Sequence, residues 1–186
     1  MYDPLACGRC ACARAGLTLP AHIVDANVDG GWHESKSTVA GDELVVLKDT
    51  PLGVLGLATC FDVRFPEHCA ALKAAGANVV LVPSAFMPTT GAAHWHVLLR
   101  ARAIENQVFV AAAAQWGAHS PARSSFGHGL LVGPWGEVIE DLGATGDGVA
   151  VARLDLRAID DAANRIDVAQ SRRRAQSALA KPVSVL

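Results

Sequence analysis

The sequence lacks a dominant charge. Its 186 residues carry 16 Lys and Arg against 18 Asp and Glu, a formal net charge of −2. A nucleic-acid binder would normally show a basic excess, so no nucleic-acid partner is expected. No stretch approaches the ~18 uninterrupted apolar residues of a membrane-spanning helix. Met1–Pro20 has no apolar core of signal type and carries Arg9 and Arg14 inside it. No membrane association and a cytoplasmic location are therefore the expectations. Aromatic residues are scarce, at 5%, and alanine supplies much of the 51% hydrophobic content. That content still excludes a disordered charged tail. The length suits one domain of ordinary size.

Paired cysteines are missing as well. Cys7, Cys10 and Cys12 crowd the N-terminus, whereas Cys60 and Cys69 stand apart. An odd count without a secretion signal reads as reduced thiols, not a disulfide framework. A structural zinc site usually takes four ligands in two spaced pairs. His22 is the next candidate ligand and no second pair follows it, so no metal is expected there.

The remaining pattern is α/β. Residues 1–20 show little periodicity and form an unassigned leader, outside the domain predicted over 21–160. Asp25–Gly41 is polar and turn-rich, which predicts a loop. Glu43–Lys48 and Leu52–Thr59 read as strands, the second buried. Pro66 opens a helix over Glu67–Ala75, with Gly76 as its stop. Asn78–Pro83 is a further buried strand, Ala92–Gln107 a helix and Val108–Ala114 a third buried strand. Strand and helix alternating in this way predicts βαβ units and a largely parallel sheet. Phe126–Val132 and Glu137–Asp141 then read as an antiparallel hairpin around Gly133–Gly136. Gly148–Leu154 reads as one more strand. Residues 161–186 form a helix-compatible tail, with Arg172, Arg173 and Arg174 as a solvated end.

Cys60 is the most informative residue. It follows an apolar strand and precedes a helix, and reactive groups in parallel sheets gather at the carboxyl ends of strands. Its neighbours sharpen this. Cys60-Phe61-Asp62-Val63-Arg64-Phe65-Pro66-Glu67 resembles the nucleophile segment of the nitrilase superfamily of carbon–nitrogen hydrolases. The resemblance continues through Pro83–Phe86, Thr90-Gly91, His94-Trp95, Arg100–Asn106, Gly127-His128 and Pro134–Glu137. The wording is closest to the Nit-type amidases, over about Glu43 to Leu156.

The resemblance implies a nitrilase-like α-β-β-α sandwich, here lacking its N-terminal part. It implies hydrolysis of a non-peptide amide of a small carboxylate through a cysteine thioester, with no cofactor and no metal. A small-molecule amide would be the substrate. Members commonly oligomerise, so a homo-oligomer or association with an intact paralogue is expected. The nucleophile matches Cys60, and the backbone N–H of Phe61 matches an oxyanion donor. Glu34, before Gly41-Asp42-Glu43, matches a second glutamate that orients the site. Ser84, Phe86 and His94 are candidates for the pocket. Arg64 and Glu67 are expected to pair and fix geometry near the site. Arg102 and Glu105, three apart on a helix, are expected to pair structurally.

Two parts of the implied machinery have no match. The family lysine lies two residues before a histidine in a Lys-x-His-x-x-Asp pattern. His22 and Asp25 keep that register, but Pro20 holds the lysine position. Lys36 belongs to a different part of the loop. The general-base glutamate falls in a segment that residues 1–20 do not resemble, a collapse also compatible with a mis-started or frame-shifted reading. A free thiol has a pKa of about 8.5, so only a few per cent is thiolate at neutral pH. Losing a positioned acid–base partner costs about 10²–10⁴ in rate, and losing an oxyanion donor about 10²–10³. Impaired turnover is therefore expected. The alternative is an inactive remnant that folds with or regulates an intact paralogue.

Overall fold

The structure is a computed structural model and describes residues 21–26 and 32–179. The cysteine trio, Pro20 and Lys181–Leu186 lie outside them. Ten strands and four α-helices are described. The centre is a six-stranded sheet in the order β10-β9-β6-β5-β4-β3. It contains β3 (Val46–Thr50), β4 (Gly53–Leu57), β5 (Val79–Leu81), β6 (Phe109–Ala112), β9 (Leu130–Val132) and β10 (Val138–Asp141). β4, β5 and β6 run parallel, as the βαβ pattern requires. β3, β9 and β10 add antiparallel edges, so the sheet is mixed and not largely parallel.

The connecting helices start and stop where local chemistry dictates. α1 (Pro66–Ala74) has proline at its first position, where the missing N–H costs nothing. It ends in Gly76 at φ 100°, with Gly76 N–H on Lys73 O and Ala77 N–H on Leu72 O. These are the two bonds of a Schellman cap, whose left-handed residue glycine adopts without strain. α2 (Pro88–Asn106) likewise opens on proline, four residues earlier than the apolar pattern suggested.

Period-two alternation decides which side each strand residue faces. Val80, Val82, Val110 and Val132 pack beneath Cys69 and Leu72 of α1 and Trp95, Leu99 and Ala103 of α2. Val79 and Phe109 face the opposite side, against Leu154, Leu156 and Ile159. Ile159 belongs to α3 (Arg157–Arg165), which runs through residue 160 and is followed by α4 (Val168–Leu179). Helices α1 and α2 thus cover one face of this sheet, and α3 packs on the other.

Several sequence readings need correction. The expected loop at 25–41 contains β1 (Asp25–Ala26) paired with β2 (Trp32–His33), then a 3-10 turn at Glu34–Lys36. The expected strand Phe126–Val132 is two strands. Gly127, at φ 83°, separates β8 (Arg123–Phe126) from β9, and β8 pairs with β7 (Trp116–Ser120). Gly148–Leu154 forms no strand. A strand exists only by its ladder partner, and no described strand flanks this segment, so Val149 and Val151 stand 88% exposed. Arg172 is also more than a solvated end, since its guanidinium donates to Glu105 O at 3.0 Å near the end of α2.

Candidate functional site

Three parallel strands deliver their carboxyl ends to one cavity of about 1230 Å³. β4 leads into Thr59-Cys60, β5 into Pro83–Phe86 and β6 into Ala113–Gln115, all of which line it. Backbone bonds lace the ends together: Cys60 N–H to Pro83 O at 3.0 Å, Ser84 N–H to Ala113 O at 2.8 Å, and Gln115 N–H to Ser84 O at 2.9 Å.

Cys60 opens a 3-10 turn, Cys60–Arg64, with φ at 45°. A non-glycine residue in that region is strained, and such strain concentrates at functional sites. Here it aims the thiol into the cavity. Burial pushes the Cys60 thiol up from its ordinary value, and the nearby Glu34 carboxylate adds to the rise. The Ala85 backbone N–H, the Ser84 hydroxyl and the Arg64 charge oppose it without reversing it.

Asp62 holds this turn to the chain before it. Only 1% exposed, it accepts hydrogen bonds from Thr59 N–H at 2.9 Å, His22 N–H at 2.8 Å and His22 Nδ1–H at 2.9 Å. The His22 ring stacks on Phe65 with centroids 3.6 Å apart. The clamped segment carries Val24, whose N–H donates to Glu34 Oε2 at 3.0 Å and whose carbonyl accepts Glu34 N–H at 2.9 Å. Glu34 and Cys60, 26 residues apart in sequence, thereby line the same cavity.

Arg64 departs from expectation. It forms no pair with Glu67, which is exposed in the first turn of α1. Its guanidinium lies 5.0 Å from the Phe86 ring centroid and 5.6 Å from that of Phe61. A planar, weakly hydrated cation favours such faces. Arg64 Nη1 also donates to His94 Nδ1 at 3.2 Å. Arginine cannot accept, so the imidazole nitrogen is the acceptor in this contact. Arg64 is therefore cavity wall, with burial lowering its pKa from the ordinary value.

Of the other candidates, Ser84, Phe86 and His94 line the cavity, and so does Phe61. Glu67 does not. Arg102 and Glu105 do pair, at 2.6 Å, and Arg102 also donates to Val63 O at 2.8 Å and Arg64 O at 3.2 Å. It braces the Cys60–Arg64 turn from beneath. Sequence reasoning missed the Asp62 clamp, although Asp62 stood in the quoted motif. It also missed Arg123 and Ser124, which reach the cavity on the unforeseen β7–β8 hairpin. The polar run Ser120–Ser125 around Pro121 was the available turn signal.

Comparison with known proteins identifies the family. Residues 21–164 match the model of a family described as carbon-nitrogen hydrolase. The deaminated glutathione amidase of Bos taurus is 46% identical over 154 residues, 82% of this chain and 47% of that protein. The crystal structure of the C. elegans NitFhit protein superposes with TM-score 0.73 at 43% identity, over 81% of this chain and 37% of that one. A variant of the Nesterenkonia sp. AN1 amidase gives TM-score 0.54 at 35% identity, over 60% of this chain and 42% of that one. That structure carries the acetamide moiety of fluoroacetamide covalently added at its active-site cysteine. The chain spans about half the length of the curated relatives it matches.

Proposed function

Because this chain belongs to the carbon–nitrogen hydrolase family, we propose that its cavity cleaves the C–N bond of a small amide through a Cys60 thioester. The observation that carries this reading is Cys60 at φ 45°, its thiol turned into a cavity that Glu34 shares. In this scheme the Cys60 thiolate attacks the amide carbon. The Phe61 N–H stabilises the resulting oxyanion. The C–N bond breaks as the amide nitrogen takes up the proton lost by the thiol and leaves as ammonia, and water then cleaves the thioester to a carboxylic acid and restores the Cys60 thiol. Glu34 is a positioning residue, held by Val24 and bordering the thiol. Arg64 supports a carboxylate-bearing substrate, because it faces the cavity with aromatic rings and an imidazole as partners and no acid.

Turnover is expected to be slow, because proline holds the position where the family resemblance places lysine. A thiol raised above its ordinary pKa is also a poor nucleophile at neutral pH. The test is ammonia release from omega-amides of small dicarboxylates, with fluoroacetamide adduct mass in parallel. The proposal expects a Cys60 adduct that Cys60→Ala abolishes, and faster ammonia release in Pro20→Lys. Adduct on another residue, or ammonia release unaffected by Cys60→Ala, would refute it. A second reading is an inactive remnant that associates with an intact paralogue, favoured by the exposure of Val149 and Val151. It expects no adduct and no ammonia, with co-elution alongside that paralogue.

A further inference from the structure

Outside the cavity, three potential metal ligands meet from three separate elements. His96 comes from the middle of α2, His128 from the β8–β9 connection and Asp141 from the end of β10. His96 Nε2 lies 3.1 Å from Asp141 Oδ2, and His128 Nδ1 lies 2.9 Å from Asp141 Oδ1. The three ligand atoms fall within 4.8 Å of one another. In a tetrahedral zinc site, with Zn–N and Zn–O near 2.0–2.2 Å, neighbouring ligand atoms sit about 3.3 Å apart. The two nitrogen–oxygen separations are already within a few tenths of an ångström of that edge.

The surroundings fix the ligands in place. His128 sits at φ 59°, in the left-handed region that histidine enters more readily than most non-glycine residues. Its N–H donates to Gly143 O at 2.7 Å, and its carbonyl accepts Trp95 Nε1–H at 2.7 Å. Its ring stacks on Phe126 with centroids 4.6 Å apart. Asp141 Oδ1 accepts Gly143 N–H at 2.8 Å. Outer contacts of this kind orient metal ligands and strengthen binding. The three side chains are 34%, 21% and 33% exposed, which leaves an entry path and a fourth position for water. The other cluster, His22, Asp62 and His68, is less suitable, because Asp62 already accepts from three backbone N–H groups as well as His22 Nδ1–H.

We propose that His96, His128 and Asp141 form a binding site for a divalent zinc-class cation that ties α2 to the β8–β9–β10 region. The chemistry is two imidazole nitrogens and one carboxylate oxygen, a donor set suited to zinc or cobalt. Its place, bridging a helix and a sheet edge away from Cys60, makes it a structural clamp. Binding requires each facing imidazole nitrogen to be unprotonated, so the proton must move to the other ring nitrogen or leave.

The test is titration of the full chain with CoCl2 and ZnCl2, followed by calorimetry and visible absorption. The expected result is one cation per chain with the visible d–d bands of four-coordinate cobalt on nitrogen and oxygen ligands. Saturating zinc should raise the melting temperature by roughly 5 °C or more. His128→Asn keeps the left-handed backbone accessible, and His96→Gln changes a partly exposed position. Each should weaken binding at least ~100-fold, with the metal-free melting temperature checking that the variant folds. His68→Asn should leave affinity unchanged. An intense near-ultraviolet thiolate band, loss of binding in His68→Asn but not in His128→Asn, or no stoichiometric binding would overturn the proposal.

Discussion

Removing the Asp62 carboxylate should detach the segment whose Val24 holds Glu34. Asp62→Ala deletes the acceptor of three hydrogen bonds between 2.8 and 2.9 Å, which dominate, and of a longer one from Ala21 N–H at 3.4 Å. Bonds to a charged acceptor contribute about 1.5–3 kcal/mol each, which sets an upper bound of roughly 9 kcal/mol. The His22 side chain is 33% exposed, so water can replace part of what is lost. The expected cost is therefore about 3–5 kcal/mol, the range for breaking a buried charged network. In a chain of this size that lowers the melting temperature by roughly 6–20 °C. Asp62→Asn keeps the shape but turns an NH2 group toward one of the N–H donors, and should cost about 1–3 kcal/mol. Thermal and urea unfolding of Asp62→Ala, His22→Ala and the double variant measure the coupling, expected between about 0.5 and 3 kcal/mol. Hydrogen exchange at residues 21–24 should accelerate with it. A melting temperature within 2 °C of the parent, or strict additivity with His22→Ala, would refute the clamp.

Cys69 has no exposed surface, and burial pushes its thiol up from 9.0 to about 12. The unfolded chain then loses this proton first, so the stability Cys69 contributes is full below pH 9 and falls as pH rises toward 12. Urea midpoints from pH 8 to 10.5 should decline more steeply than in Cys69→Ala, by up to about 1.4 kcal/mol per pH unit. A Cβ on Gly91 would collide with the Phe126 side chain. Gly91→Ala should destabilise by about 1–3 kcal/mol in thermal unfolding despite its better helix propensity, and a stabilised variant would contradict the packing. Iodoacetamide should modify Cys60 more slowly than free cysteine at pH 7, with a rate that climbs above pH 9. Faster labelling at pH 7 would show that the thiol is activated. Arg102→Lys should lose much of the brace beneath Val63 and Arg64, because one ammonium cannot reproduce the forked contacts. Unfolding midpoints of Arg102→Lys close to the parent would refute that role.

The sequence by itself determined the alternation of buried strands and helices, because the apolar runs Val79–Leu81 and Phe109–Ala112 permit little else. Proline at the start of α1 and glycine at its end marked that helix through backbone chemistry alone. The order of motifs around Cys60 put that residue just after a strand, and the structure brings Ser84, Phe86 and His94 to the same cavity. Tertiary structure decided what depends on partners distant in the chain. Gly148–Leu154 has the alternation of a strand, but hydrogen bonds come from a neighbour and no described strand supplies them. Arg64 and Glu67 look like a pair by spacing, yet the turn sends one to aromatic faces in the cavity and the other to solvent. Asp62, His22 and Glu34 form one network only because a buried carboxylate must find its donors in three dimensions. His96, His128 and Asp141 carry no sequence pattern at all. They converge because helix α2 packs across the strands that bring the other two to the same edge.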